Sequence, residues 1–263
     1  MITGAGGGIG GALARRAAAE GANVAATDLT ADSLQALEDE LGDGHLFLPA
    51  DVTDPQQVTE LLAHVASELG PVDVFFANAG VAVGGDPIET PDEIWEQALG
   101  VNLRAHVFAA RALLPGWLER GEGYFVSTAS AAGLLTQIGS APYAVTKHGA
   151  VAFAEWLSIT YGHRGVRVSC ICPQGVNTAM LQVAAPGSPG QVAADVVRAG
   201  GEVLEPDDVA VATMEAIDQE RFLVLPHPEV LTYFQRKAGD YERWLEGMRR
   251  LQERVEAMAA KRP

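Results

Sequence analysis

Short apolar runs alternate with longer stretches in which apolar residues recur every three or four positions along most of the chain. The short runs predict β-strands at residues 23–27, 46–49, 72–77, 123–127, 166–171 and 221–225. The longer stretches predict helices at residues 9–20, 31–41, 55–69, 91–118, 142–162 and 206–219. This alternation predicts an α/β fold: one doubly wound domain over residues 1–263, with a parallel sheet of about seven strands and helices on both faces.

Two regions depart from that alternation. Residues 185–190, Ala-Pro-Gly-Ser-Pro-Gly, interrupt any regular element, so residues 179–205 are expected to form a long connection able to fold over a site as a lid. Apolar side chains in the tail recur at helical steps, which predicts one amphipathic helix over about 229–261. Its side chains are expected to pack on the domain or on a second subunit.

The first strand is unusually short. Only Met1 and Ile2 precede Thr3, whereas strands have a typical length of about five residues and this one is central in such a sheet. We therefore expect the natural start of the protein to lie several residues upstream of Met1.

Composition excludes several classes of partner. A formal net charge of −16 opposes contact with nucleic acid, and no apolar run approaches the roughly 20 residues of a membrane helix. The amino terminus lacks a secretory signal, so a cytoplasmic protein is expected. Cys170 and Cys172 point to the same face of a strand, where two buried core thiols are favoured over a metal site.

Glycines cluster between the first strand and the first helix, in the segment Thr3-Gly-Ala-Gly-Gly-Gly-Ile-Gly10. Such a loop lets the backbone approach a pyrophosphate, and the helix amino terminus stabilises its charge. Asp28 ends the next strand, where a carboxylate can accept hydrogen bonds from the adenosine ribose hydroxyls and would repel a 2′-phosphate. The alternative for Asp28 is a helix or turn cap. These residues favour NAD over NADP.

Taken in order, these motifs resemble those of the short-chain dehydrogenase/reductase family, whose fold is the Rossmann type. The further matches are Asp51-Val52, Asn78-Ala79-Gly80, Asn102, Ser130, Tyr143-Ala-Val-Thr-Lys147 and Pro173-Gln-Gly-Val-Asn-Thr178. Two residues depart from the family pattern. Ala77 stands where many members have Asn, and Gln174 precedes Gly175 where many members have a Pro-Gly pair. The matches end at Thr178. The segment after it carries no motif shared by the family, and in this family that segment usually determines which substrate is bound.

The resemblance implies a role for each matching residue. The cofactor would contact Gly4, Gly8, Ile9, Gly10, Asp28, Asp51, Val52, Asn78, Ala79, Gly80, Tyr143, Lys147, Val176 and Thr178. The catalytic residues would be Asn102, Ser130, Tyr143 and Lys147, and no metal is expected.

Tyr143 and Lys147 lie four residues apart, so both project from one face of a helix. An ammonium about 4 Å from a phenol contributes roughly 4 kcal/mol at an effective dielectric near 20, which is expected to lower the phenol pKa towards neutral pH. Ser130 is expected to orient the substrate oxygen, although alone it fits a solvated loop serine equally well. Asn102, a poor helix former, suggests a specific hydrogen bond, here through a water that relays protons to Lys147.

The predicted function is hydride transfer between NAD and a secondary alcohol or ketone. Two alternatives remain open: an NADP-dependent reductase of 3-oxoacyl thioesters and a non-catalytic NAD-binding sensor. A hydrophobic substrate is expected from the apolar residues of the predicted lid, namely Met180, Leu181, Val183, Val192, Val196, Val197 and Val203. The resemblance also implies a homo-oligomer, a dimer or a tetramer.

Overall fold

A parallel sheet forms the centre of the protein. The computed structural model describes residues 1–182 and 189–259, and in them seven strands pair in the order β3-β2-β1-β4-β5-β6-β7. The strands are β1 Ile2–Thr3, β2 Ala25–Asp28, β3 Leu46–Pro49, β4 Val74–Ala77, β5 Gly123–Thr128, β6 Val166–Ile171 and β7 Leu223–Val224. The predicted α/β architecture is confirmed.

Helices connect the strands. They are α1 Gly8–Ala19, α2 Ala31–Leu41, α3 Pro55–Leu69, α4 Asp92–Leu99, α5 Ala105–Arg120, α6 Ala132–Leu135, α7 Ala141–Tyr161, α8 Ala179–Gln182, α9 Pro189–Ala199, α10 Pro206–Asp218, α11 Glu229–Gly239 and α12 Tyr241–Ala259. A π-helical turn, Gly100–Arg104, joins α4 to α5, so the predicted helix at 91–118 has three parts. In the part of the chain that the structure describes, no helix is long and apolar enough to cross a membrane.

Each face of the sheet packs against its own set of helices. Leu13 of α1, Leu34 of α2 and Val209 of α10 belong to the core on one face. The core on the other face includes residues of α3, α5 and α7, among them Trp117, which is 2% exposed and donates from Nε1 to the Val72 carbonyl at 2.7 Å. All six residues of β5 are buried, as expected for a strand covered on both faces.

The short first strand is central in the sheet. Ile2 pairs with Ala26 of β2 and with Phe76 of β4. The amino group of Met1 is buried and donates to the Val74 carbonyl at 2.7 Å. The expectation that the natural start lies upstream of Met1 stays a prediction.

The tail prediction was wrong in one respect: the helix predicted over 229–261 is two helices. Gly239 ends α11, and Asp240 is extended, with φ −152°. The Asp240 carboxylate accepts from the Arg243 N–H at 3.1 Å, which starts α12. The apolar period runs through both helices, so it does not mark this break. Residues 260 and 261 lie outside the described part.

The predicted lid also contains more regular structure than expected. Between residues 179 and 205 the structure has α8 and α9. Pro189 begins α9, because a proline fits the first turn of a helix, where its missing N–H has no helical partner. Residues 183–188 of this segment lie outside the described part of the chain.

Candidate active site

Side-chain hydrogen bonds join the carboxyl ends of three central strands. The Thr3 hydroxyl accepts from the backbone N–H groups of Asn78 and Ala79, at 2.9 and 3.0 Å. The Asn78 amide donates to the Thr3 carbonyl at 3.0 Å and accepts from the Thr128 hydroxyl at 3.1 Å. This network ties β1, β4 and β5 together where the strand order reverses, the place at which doubly wound sheets bind ligands.

The glycine loop leaves β1 at this network. Gly4 has φ +65°, and a Cβ there would lie 2.8 Å from the Ala79 Cα, so the position requires glycine. A Cβ at Gly10 would overlap the Gly4 carbonyl oxygen. Gly10 therefore packs behind the loop and, unlike the other predicted cofactor residues, does not line the cleft. No side chain caps the amino terminus of α1, where Gly8 and Ile9 line the cleft.

Asp28 lies beside this loop, at the end of β2. Its carboxylate accepts from the N–H of Gly6 at 2.9 Å and from that of Leu29 at 2.7 Å. The next strand end carries Asp51, whose carboxylate accepts from the hydroxyl of Thr53 at 2.7 Å. The described residues lining this end of the cleft include no Lys or Arg. This end therefore suits the hydroxyl groups of a ribose and not a ribose that carries a 2′-phosphate.

Ser130, Tyr143 and Lys147 line the middle of the same cleft. Lys147 is 3% exposed, and its Nζ donates to the Thr128 carbonyl at 2.8 Å. That Nζ lies 5.7 Å from the centre of the Tyr143 ring. The Ser130 hydroxyl accepts from the Ala132 N–H at 3.1 Å. The structure thus brings together three of the four predicted catalytic side chains.

The expected effect of Lys147 on Tyr143 was wrong. Burial raises the pKa of the Tyr143 phenol above its usual value, and the Ser130 hydroxyl only partly offsets it. The Lys147 ammonium is directed at the Thr128 carbonyl and over the ring face. Burial also lowers the pKa of Lys147, to about 8. The spacing of two residues along a helix does not determine where a long side chain places its charge. For the pKa of Tyr143, desolvation by burial is a larger effect than the Lys147 charge.

Asn102 lies behind the cleft, in the π-helical turn, and is fully buried. Its Oδ1 accepts from the Val81 N–H at 2.8 Å, and its Nδ2 donates to the Val81 carbonyl at 2.9 Å and to Thr146 Oγ1 at 3.1 Å. Its side chain therefore holds the segment after Gly80 against α7. The specific hydrogen bonding expected of this side chain is present; its catalytic role and the water relay stay predictions.

The remaining predicted cofactor residues also line the cleft: Val52, Asn78, Ala79, Gly80, Val176 and Thr178. Thr178 approaches the glycine loop, since a Cβ at Gly8 would lie 3.0 Å from its Cγ2. Within the described residues, no group of three or more His, Cys, Asp or Glu side chains is arranged to hold a metal ion. Cys170 and Cys172 are buried, with their sulfurs 3.9 Å apart.

A family model described as short chain dehydrogenase matches residues 1–188. The chain belongs to the short-chain dehydrogenase family. It is therefore an enzyme, an oxidoreductase, as the motifs at the carboxyl edge of its sheet predict.

Relatives of this short-chain dehydrogenase match it over most of its length. A 1-deoxy-11-beta-hydroxypentalenate dehydrogenase from Streptomyces exfoliatus is 37% identical over 87% of this chain and 82% of that protein. A meso-2,3-butanediol dehydrogenase from Serratia marcescens is 34% identical over 85% of this chain and 88% of that protein. A short-chain dehydrogenase/reductase from Burkholderia phymatum, solved in complex with NAD, is 30% identical with a TM-score of 0.84, over 92% of each chain.

The two carboxyl-terminal helices of the dehydrogenase form a wall of the cleft that sequence reasoning missed. Tyr233 and Arg236 of α11 line it, together with Trp244, Met248, Leu251 and Val255 of α12. The cleft has a volume of about 2300 Å³, well above the roughly 300–1,000 Å³ of a site for one small ligand. The sequence showed that the tail is an amphipathic helical segment. It did not show that the apolar face of this segment lines the cleft.

Residues of the predicted lid form part of the cleft as well. Met180, Leu181, Val192, Val196 and Val197 line it. Val203 instead approaches Gly175, whose Cβ would lie 3.3 Å from it, and Val183 lies outside the described residues. The Gln137 amide donates to the Ala193 carbonyl at 3.4 Å, which connects α9 to the segment between Ser130 and Tyr143.

The buried Lys147 predicts a specific dependence of stability on pH. Its pKa is about 8 in the folded protein and 10.5 ordinarily, so between these values the unfolded state binds a proton that the folded state has released. Stability contributed by this site therefore rises with pH in that window, by up to about 3 kcal/mol. Urea titrations at pH 7 and 10.5 should show the free energy of unfolding of the native enzyme rising relative to that of Lys147→Met. Parallel pH profiles of the two proteins would contradict this burial effect.

Proposed function

We propose that this short-chain dehydrogenase transfers a hydride between NAD and a secondary alcohol or ketone, with Tyr143 as general acid and base. The observation that carries the proposal is the shared cleft: Tyr143, Ser130 and Lys147 lie in its middle, the glycine loop and Asp28 at one end, and an apolar wall at the other. NAD, when bound, supplies the acceptor or donor of the hydride at its nicotinamide ring.

The residues along the cleft fit a dinucleotide. The uncapped amino terminus of α1 and the Gly4 and Gly8 backbone suit a pyrophosphate. Asp28 suits the adenosine ribose hydroxyls, and the lack of Lys or Arg among the described residues around it favours NAD over NADP. Asp51 and Val52 would border the adenine, and the segment 78–80 would line the cofactor. Val176, Thr178 and Lys147 would hold the nicotinamide half.

Proton transfer falls to Tyr143. Because burial raises its pKa, the phenol is protonated at neutral pH and suited to give a proton to a carbonyl oxygen. In the oxidising direction the phenolate accepts the hydroxyl proton of the alcohol, so alkaline pH favours oxidation. Ser130 would donate to the same oxygen, and Lys147, fixed by the Thr128 carbonyl, would set the position of the Tyr143 ring. Asn102 acts as a positioning residue through Val81 and Thr146.

An apolar alcohol is the favoured substrate class. The walls beyond Tyr143 are formed by aliphatic and aromatic side chains of α8, α9 and α12, with α8 and α9 acting as the lid. Relatives named as dehydrogenases of a butanediol and of a hydroxypentalenate support an alcohol substrate. The NADP-dependent thioester reductase is not favoured, because Asp28 opposes a 2′-phosphate. The non-catalytic sensor is not favoured either, because Ser130, Tyr143 and Lys147 are all in place.

Removal of the Tyr143 hydroxyl tests the mechanism. General acid–base groups contribute typically about 10²–10⁴-fold to rate, so Tyr143→Phe should lower kcat/KM by that factor for any secondary alcohol oxidised with NAD. Fluorescence titration should show NADH still bound. Tyr161→Phe, at the end of the same helix and outside the cleft, is the matched control. Full turnover by Tyr143→Phe would remove Tyr143 from the mechanism.

We also propose a homo-oligomer in the cytoplasm. Val145, Trp156 and Ile159 form an exposed apolar face on α7, with 53%, 53% and 81% of their surfaces accessible. Steps of eleven and three residues place them on one side of that helix, and such a face suits burial against a second copy. The two free buried cysteines fit a reducing compartment.

A charge on this face should weaken the oligomer. Ile159→Glu buries an unpaired carboxylate if α7 is the interface, so the particle mass measured by light scattering should fall to that of one chain. Val211→Glu, at an exposed apolar position of α10, is the control and should leave the mass of the native protein. An unchanged oligomer in Ile159→Glu would contradict this interface.

A further inference from the structure

We infer that the alcohol substrate carries a carboxylate, and that Arg236 binds this group at the apolar end of the cleft. This inference rests on the proposed function and names the substrate class of the same site. It assigns Arg236 as a specificity-determining residue.

The apolar wall consists of one face of α12. Trp244, Met248, Leu251 and Val255 follow each other at steps of four, three and four residues, and all four are half-buried and line the cleft. A helix that turns one complete apolar face towards a cavity selects an apolar ligand. Tyr233 of α11 adds an aromatic ring to the same wall.

Arg236 adds a cation to this wall, one turn after Tyr233. Within the described residues its guanidinium makes no ion pair and no hydrogen bond, although it lines the cleft. The other cations of the cleft are engaged: Lys147 donates to the Thr128 carbonyl, and Arg104 lies over the Phe108 ring at 5.5 Å. Arg236 therefore has its hydrogen-bonding capacity available to a ligand.

The contacts of its neighbour place Arg236 on the substrate side of the cleft. The Nζ of Lys237 donates to the Leu134 carbonyl at 2.6 Å, which fixes the last turn of α11 on α6. The helix α6 begins two residues after Ser130, which orients the substrate oxygen in the proposed mechanism. Arg236 thus lies on the side of the cleft that Ser130 lines, after β5. The glycine loop and Asp28 lie on the other side, at the ends of β1 and β2.

A carboxylate is the anion that suits this position. The planar guanidinium fork matches a carboxylate with two parallel hydrogen bonds. A doubly charged phosphate would meet more repulsion, since Asp86, Glu89 and Asp195 also line the cleft and the chain has a net charge of −16. The substrate would then have its hydroxyl at Tyr143, an apolar body against α12 and a single negative charge at Arg236.

Matched acids and esters test the inference. The probes are 4-hydroxycyclohexanecarboxylate and a hydroxydecalin carboxylate, each with its methyl ester, oxidised with NAD. Hydrogen bonds to charged groups are worth about 1.5–3 kcal/mol, or roughly 10- to 150-fold, so kcat/KM of the native enzyme should be at least about tenfold higher for an acid than for its ester. The ratio should fall as ionic strength rises, because Arg236 is exposed.

Variants then assign the preference to Arg236. In Arg236→Gln the ratio of acid to ester should fall to within about twofold of one, and Arg236→Lys should retain part of it. The control is Arg249→Gln, which removes an exposed arginine of α12 that does not line the cleft and has no ion pair in the described part. That control should keep the native ratio.

The outcomes separate this inference from the proposed function. Oxidation of acids and esters at equal kcat/KM by the native enzyme would overturn the carboxylate and leave the dehydrogenase function standing. A preference for the acids that survives in Arg236→Gln would overturn the assignment to Arg236. If neither acids, esters nor unsubstituted secondary alcohols reduce NAD, the proposed function fails, and the inference fails with it.

Discussion

The hydrogen bonds of Asn78 with Thr3 and Thr128 hold together the strand ends from which the whole cleft is built. They join β1, β4 and β5, and β1 has only two residues with which to pair along its edges. Each such bond contributes about 1 kcal/mol. The glycine loop leaves the sheet immediately after Thr3, and the backbone carbonyl of Thr128 fixes Lys147. One small network therefore links the glycine loop to α7, the helix that carries Tyr143 and Lys147.

The electrostatics of the cleft differ from one end to the other. Asp28 and Asp51 occupy the end beside the glycine loop, where helix and loop N–H groups are also present. In the middle, burial governs: it raises the pKa of Tyr143 and lowers that of Lys147. The far end is largely apolar, and Arg236 of α11 and Asp195 of α9 are charged residues that line it. This change from polar to apolar lining suits the proposed arrangement, with the dinucleotide beside Asp28 and the alcohol against the apolar wall.

The sequence was sufficient to predict the fold and most of the cleft, since apolar periods and capping residues are local signals. Motif and spacing predicted site roles for the glycine loop, Asp28, Ser130, Tyr143 and Lys147, and the structure places all of them along one cleft. The break at Asp240 was not predicted, because an apolar period continues across it. The π-helical turn and the direction of the Lys147 ammonium were also missed, since both depend on tertiary hydrogen bonds. Nothing local in the tail indicates that α11 and α12 line the cleft.

Transfer of an isotopic label tests the central claim most directly. The enzyme would be incubated with NAD and a secondary alcohol that carries deuterium on its carbinol carbon, and the reduced cofactor analysed by mass spectrometry and NMR. Direct hydride transfer predicts that the deuterium appears on C4 of the nicotinamide ring, with none lost to water. Unlabelled reduced cofactor, with the deuterium released into solvent, would contradict the account.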